Sequence, residues 1–203
     1  PVRVAVLEEV RFVAQGQPQT VPQTVETSGL PRLGVIIVTM GDRPNEISAL
    51  LDSVLNQHEP PERVLVVGQG TPLSWLPEGV EGVELPENIG LPGGRNAALA
   101  RLRAHGDIDV VIYLDDDGLL PDPDTARKVR EAFAEDPRLG IVAFRIADET
   151  GLTQRRHVPR LRAEPMEFAE VTTFLGGGNA IRMDVVEQIG DWPEQFFFVH
   201  EET

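Results

Sequence analysis

The sequence predicts an α/β fold, a mostly parallel sheet with helices on both faces. Two observations carry this. Its strands read as unbroken apolar runs, such as "LGVIIVTM" from Leu33 and "VVIYL" from Val110, the mark of strands buried on both faces. Between those runs lie segments with apolar residues at helical spacing, and the two kinds alternate along the chain.

Residues 1–31 begin with the alternating "VRVAV", a short strand read as the edge of something else. They continue into "AQGQPQTVPQTVETSGLP", whose Gln, Thr and Pro carry no periodicity and suggest a linker. The division expected is an N-terminal extension over 1–31 and one domain over 32–203. In that domain "LGVIIVTM" is a buried strand. "NEISALLDSVLNQ" is a helix, with Ile47, Leu50, Leu51, Val54 and Leu55 on one face. "RVLVVG" is a second strand, and "GVEL" after a Pro/Gly-rich loop is a short third. "GGRNAALARLRA" reads as a helix opened by glycines, with Arg95 and Asn96 in its first turn. "DVVIYL", "PDTARKVREAFAED" and "LGIVAFRI" follow as strand, helix and strand. "LGGGN" reads as a tight backbone passage, with a short helix from about Arg182.

The 203 residues suffice for one large domain, and 41% hydrophobic with 25% charged residues is an ordinary globular composition. A formal charge of −15 argues against nucleic acid as a partner, because phosphate backbones need a basic surface. It leaves a nucleotide substrate open, since one bound divalent cation reverses the local field. Without cysteine there are no disulfides and no thiolate metal sites. The apolar runs fall well short of the roughly 18 residues that suggest a membrane span, and no basic region followed by an apolar stretch opens the chain. The sequence stops at "FFFVHEET", inside an apolar-acidic pattern, and is read as a fragment of a longer protein.

Ligands of parallel α/β sheets gather at the C-terminal ends of the strands. That rule puts Thr39, the Gly68–Gly70 turn and Asp115 to Asp117 along one edge. Three consecutive carboxylates there repel one another; a strand-end turn would use one of them, whereas a hard cation such as Mg²⁺ or Mn²⁺ uses several. In "ENIGLPGGRNAAL" the Pro and glycines allow close backbone approach, and a helix start presents N–H groups to an anion. A cation there opposes the helix dipole, so Arg95 is not placed for helix stability. The glycine spacing is not that of the dinucleotide fingerprint. "FFFVHEET" offers Glu201 and Glu202 beside an apolar wall that raises a carboxylate pKa, either as a general base or as an acidic helix start.

Taken in order, these segments resemble the inverting family 2 glycosyltransferases, whose GT-A fold is Rossmann-like and binds nucleotide sugars. The resemblance runs from about Leu33 to Thr203. "VTMGDRPNEISALLDSVLNQ" resembles the family's opening strand and helix. "ENIGLPGGRNAAL" resembles its N-x-G-x-x-G-G-R-N segment, and "LDDDG" its D-x-D metal motif. "GGGNAIRMDVVEQIGDWPEQFFFVHEET" resembles the acceptor-side segment that ends in the acidic base.

The resemblance implies a donor set. Thr39 would touch the base or ribose, with Asn88, Gly90 and Arg95 around the nucleotide. Asp115 would face the ribose or sugar and share the metal, Mn²⁺ or Mg²⁺, with Asp117, and Asp116 would contact the donor sugar. It also implies an acceptor side of Gly177, Gly178, Asn179 and Trp192, with Glu202 as the base and Glu201 as its alternative. The partners implied are a UDP- or dTDP-linked sugar and a saccharide or lipid-linked acceptor, in cell-envelope polysaccharide or glycoconjugate synthesis. The location implied is cytoplasmic, at most peripheral to the inner face of the membrane.

Two departures are visible. Where many relatives carry V-D-N-G-S, this chain has "VVGQGTP", so Gln69 would have to read the base, or the base is held otherwise. The family base motif is often Glu-Asp, and here it is Glu-Glu-Thr. Two rivals remain. A sugar nucleotidylyltransferase would want a Gly-rich basic loop after the first strand, and "TMGDRPNE" is not one. A non-catalytic sugar-nucleotide-binding domain would tolerate degraded acidic motifs, and both are intact.

Overall fold

The structure, a computed structural model, describes residues 3–10, 29–148, 150–153 and 174–197. Among these residues the chain runs β1 (Arg3–Val10), β2 (Leu33–Thr39), α1 (Pro44–Leu55), β3 (Arg63–Gln69), β4 (Val80–Leu85) and α2 (Gly90–His105). It continues with β5 (Val110–Asp115), α3 (Thr125–Glu135), β6 (Leu139–Ile146), β7 (Gly178–Arg182) and α4 (Met183–Ile189). The strands form one sheet in the order β1-β6-β7-β5-β2-β3-β4. All neighbours pair in parallel except β7, which runs antiparallel between β5 and β6.

Alternation along each strand divides the core into two layers. Val35 and Ile37 of β2, with Val110 and Ile112 of β5, pack under Ile47, Leu50, Leu51 and Val54 of α1 and Val129 and Phe133 of α3. On the opposite face Leu65, Val67, Val111 and Tyr113 meet Ala98, Leu99 and Leu102 of α2 and Val185 and Val186 of α4. Each fully buried aliphatic side chain is worth roughly 1.5–3 kcal/mol, so α1 is held chiefly by this stripe. Pro44 starts α1, where its missing N–H costs nothing. Gly106 ends α2 in the left-handed region at φ 68°, with its N–H donated to the Leu102 carbonyl.

Three expectations change. The first strand is an edge of this sheet, pairing with β6 from Arg3↔Leu139 to Val10↔Ile146. The "GGGN" passage is the entry to a strand, β7, whose Ile181 and Ala180 close the gap between β5 and β6. Helix α2 begins at Gly90, so Arg95 and Asn96 lie in its second turn and not its first.

Candidate active site

The C-terminal ends of β2, β3 and β5 are in register, with Thr39 opposite Gly68 and Val38 opposite Asp115. Because β7 is antiparallel, its first residues reach the same edge, with Gly178 opposite Leu114. The apolar strands therefore deliver Thr39, Gln69, the three aspartates and the triple glycine to one rim.

The aspartates point to different partners. After β5 the chain turns, with Gly118 N–H donated to the Asp115 carbonyl at 2.9 Å. Asp115 keeps the face of Val111 and Tyr113, and its carboxylate, 48% exposed, lies 3.9 Å from the Arg95 guanidinium. Asp116 is buried and accepts the Thr39 hydroxyl at 2.6 Å, while Thr39 Oγ1 itself accepts Gly41 N–H at 3.0 Å. Asp117 is 46% exposed. Arg43 spans the second and third, with Nη1 at 3.1 Å from Asp116 Oδ1 and 2.7 Å from Asp117 Oδ2. The Asp117 carboxylate and then that of Asp116 hold the Arg43 guanidinium above its ordinary range, against the opposing effect of burial. Sequence reasoning missed Arg43, although a cation just before Pro44 at a helix start was a visible signal.

Arg95 is 2% exposed, so it lies inside the wall and not in the opening. Its Nη2 donates to the Gly176 carbonyl at 3.0 Å, and its guanidinium sits 4.5 Å from the Trp192 ring centre and 5.5 Å from that of Tyr113. Those rings meet edge to face at 5.1 Å. Burial pushes the Tyr113 hydroxyl up to about 12, so it stays neutral at ordinary pH. Asn96 clamps the same segment: its carbonyl accepts Trp192 N–H at 2.9 Å, and its amide donates to the Trp192 carbonyl at 2.9 Å and to Glu194 at 2.8 Å. Sequence reasoning left Asn96 without a role.

The glycines act through the space they leave. A Cβ on Gly177 would stand 2.1 Å from Asp115 Oδ2, and one on Gly94 would stand 2.8 Å from Val38 Cγ1. Gly90 has φ +88°, and a Cβ there would meet the Phe197 carbonyl at 2.6 Å. Asn88 accepts Gly90 N–H at 2.8 Å and so shapes the loop before α2. Asn179 is fully buried and donates to the Leu175 and Gly176 carbonyls, which holds the glycine turn from below. Gln69 is buried, and its side-chain carbonyl accepts Ile89 N–H at 2.9 Å, so that oxygen is committed to the same loop. Glu201 and Glu202 lie outside the described residues.

The sequence matches the Glycosyl transferase family 2 profile over residues 35–190. No curated protein sequence matches the chain. Solved structures of similar fold include the mannosyltransferase PcManGT from Pyrobaculum calidifontis in complex with GDP-Man and Mn²⁺. It is 22% identical with a TM-score of 0.59, over 88% of this chain and 51% of that one. Residues 1–349 of S. aureus TarS are 18% identical with a TM-score of 0.63, over 84% and 52%. GalNAc-T7, solved with UDP, GalNAc and Mn²⁺, is 14% identical with a TM-score of 0.59, over 87% and 40%. The chain thus spans about half the length of the first two structures and less of the third. At these identities the likeness is one of fold, the expected GT-A arrangement.

Proposed function

The chain belongs to glycosyl transferase family 2, and from that premise we propose that it moves a sugar from a nucleoside-diphosphate sugar to an acceptor hydroxyl in a single inverting displacement. The observation that carries this reading is the rim itself, where Asp115 and Asp117 present half-exposed carboxylates beside Thr39. The acceptor and donor sugars belong to polysaccharide or glycoconjugate synthesis on the family reading. None of the helices among the described residues is long and apolar enough to cross a membrane, and a cytoplasmic site of action, at most peripheral to a membrane, is part of the proposal.

The donor set of the rim suits a divalent cation. Asp115 and Asp117 offer hard oxygen ligands, and among the described residues no group of three or more acidic or histidine side chains could hold a metal by itself. Mg²⁺ and Mn²⁺ are commonly held in this way, by one or two carboxylates with phosphate oxygens completing the shell. The bound cation would offset charge that develops on the departing nucleoside diphosphate. PcManGT and GalNAc-T7 were solved with Mn²⁺ and nucleotide ligands, which favours the same ligand class here.

The protein's own groups have separable parts in this reading. Thr39 fixes Asp116 and with it the turn that aims Asp117. Arg95, walled in by Trp192 and Tyr113, orients Asp115 and holds the Gly176 carbonyl, acting on the donor through them. Asn88 and Gly90 shape the loop on the nucleotide side, and Gln69 has its amide nitrogen to offer the base. Gly177 and Trp192 face the passage between donor and acceptor, and the buried Gly178 and Asn179 support it from below. Glu202, with Glu201 as its alternative, would take the acceptor proton as the oxygen attacks the anomeric carbon.

Asp117→Ala is expected to abolish Mn²⁺-dependent binding of UDP, dTDP or GDP in calorimetry while the circular dichroism spectrum stays native. Unchanged nucleotide affinity, with and without Mn²⁺, overturns the metal assignment. Glu202→Gln in the full-length protein should bind donor and lose transfer. Full transfer in that variant moves the base to Glu201.

A further inference from the structure

Arg43 is bonded to two of the three aspartates. Its position has no local reason. It caps the N-terminus of α1 without any side-chain cap bond, where a positive charge opposes the helix dipole. Its ion pairs offset that cost, so the side chain is placed for the aspartates and not for the helix.

The two pairs differ in how easily they open. Asp116 is 12% exposed and anchored by the Thr39 hydroxyl, whereas Asp117 and Arg43 are each nearly half exposed. A half-exposed arginine pair is worth little and exchanges readily with water. The Arg43–Asp117 contact is the shorter of the two but the more solvent-exposed, so it is the one open to exchange, and it involves the carboxylate proposed above as a metal ligand.

We propose that Arg43 is an internal counter-ion, displaced from Asp117 when a divalent cation binds, and that the freed guanidinium then pairs with the donor diphosphate. The inference rests on the metal reading given under Proposed function. Without ligands, Arg43 relieves the repulsion among the aspartates and keeps the rim ordered. A metal arriving alone must break the 2.7 Å pair and leave two positive groups side by side. A diphosphate arriving with the metal supplies a new acceptor for the guanidinium, through the paired N–H groups that suit phosphate oxygens. Metal and diphosphate binding are then positively linked, each raising the affinity of the other by the same factor.

The test measures Mn²⁺ binding by electron paramagnetic resonance for the wild type, Arg43→Gln, Arg43→Lys and Asp117→Asn, with and without UDP, dTDP or GDP. Arg43→Gln should bind Mn²⁺ alone about three- to fivefold more tightly than the wild type, the size expected for loss of a half-exposed competitor. The gain in Mn²⁺ affinity from added nucleotide should shrink in the same variant. Arg43→Lys keeps a charge at the site and should lie nearer the wild type, which separates competition from misfolding. Asp117→Asn should lose Mn²⁺ binding. Equal or weaker binding of Mn²⁺ alone by Arg43→Gln overturns the counter-ion role and leaves the metal site standing. No Mn²⁺ binding by the wild type with any of the three nucleotides overturns the metal reading and this inference together.

Discussion

The place a side chain on Gly177 would take is already occupied by the Asp115 carboxylate, whose Oδ2 lies 2.1 Å from where a Cβ would stand. The backbone at Gly177 is not in the left-handed region, so alanine is conformationally allowed and its effect is purely steric. Gly177→Ala must push the carboxylate away from its position beside Arg95. On the proposed function this weakens Mn²⁺-dependent nucleoside-diphosphate binding about tenfold, the equivalent of 1.4 kcal/mol, with the melting temperature little changed. Calorimetry beside thermal denaturation checks this, and a large fall in melting temperature with normal binding refutes it. Residues of this kind were only half legible in the sequence. Three carboxylates at a strand mouth mark a candidate site by charge alone, whereas the reason for Gly177 is another residue 62 positions earlier in the chain. Arg95 shows the same limit from the other side. Its misfit with a helix start suggested a ligand, and the structure sets it against Trp192, Tyr113, the Gly176 carbonyl and the Asp115 carboxylate, none of which its place in the sequence announced.

At the scale of elements, the buried strands were readable because apolar residues dominate each of them, even where Arg145 interrupts β6, and the helices because of their apolar stripes. β7 escaped because it is five residues long, begins with Gly and Asn, and gains its strand character from β5 and β6 on either side. Helix α2 began earlier than its composition suggested, since a Gly-Leu-Pro-Gly-Gly sequence has poor helix propensity and its purpose is closeness to the sheet. Gly94 sits over Val38, with 2.8 Å between the latter's Cγ1 and a hypothetical Cβ. Gly94→Ala gains up to about 1 kcal/mol in helix propensity and loses about 1–3 kcal/mol to overpacking, for a net destabilisation of roughly 1 kcal/mol. Val38 is β-branched and stiff, so it has little freedom to yield. Val38→Ala in the same chain should relieve the clash, giving a favourable coupling on the order of 1 kcal/mol in a double-mutant cycle by urea denaturation. Strict additivity of the two substitutions would mean that α2 shifts as a body and the rim tolerates it.

For the whole molecule, the acidic excess of 15 charges makes the arginines of the described residues a structural resource. Of the 18 lysine and arginine residues only Lys128 is lysine, and the planar fork of arginine suits several acceptors at once. Arg130, buried in the layer of α3, ties the Glu59 and Pro60 carbonyls to Glu62. At the opposite end of the sheet from the site, Asp107 accepts Nε and Nη2 of Arg63 at 2.7 and 2.5 Å and Nη2 of Arg32 at 2.9 Å. Hydrogen bonds from Arg63 lead in lowering its pKa from 3.8 to about 2, with the charges of Arg63 and Arg32 adding to them. A depressed carboxylate contributes stability that is whole above the unfolded value and lost as pH falls through the folded one. The window for Asp107 therefore lies between about pH 4 and about pH 2. Asp107→Asn should lower the urea midpoint at pH 6, and the gap from the wild type should close as pH falls through that window. Because all other carboxylates titrate alike in both proteins, the difference isolates Asp107. A gap that stays constant down to pH 2.5 would assign the effect to hydrogen-bond geometry and not to charge. The strand starts would then be joined without electrostatics, and the arginines kept for reach alone.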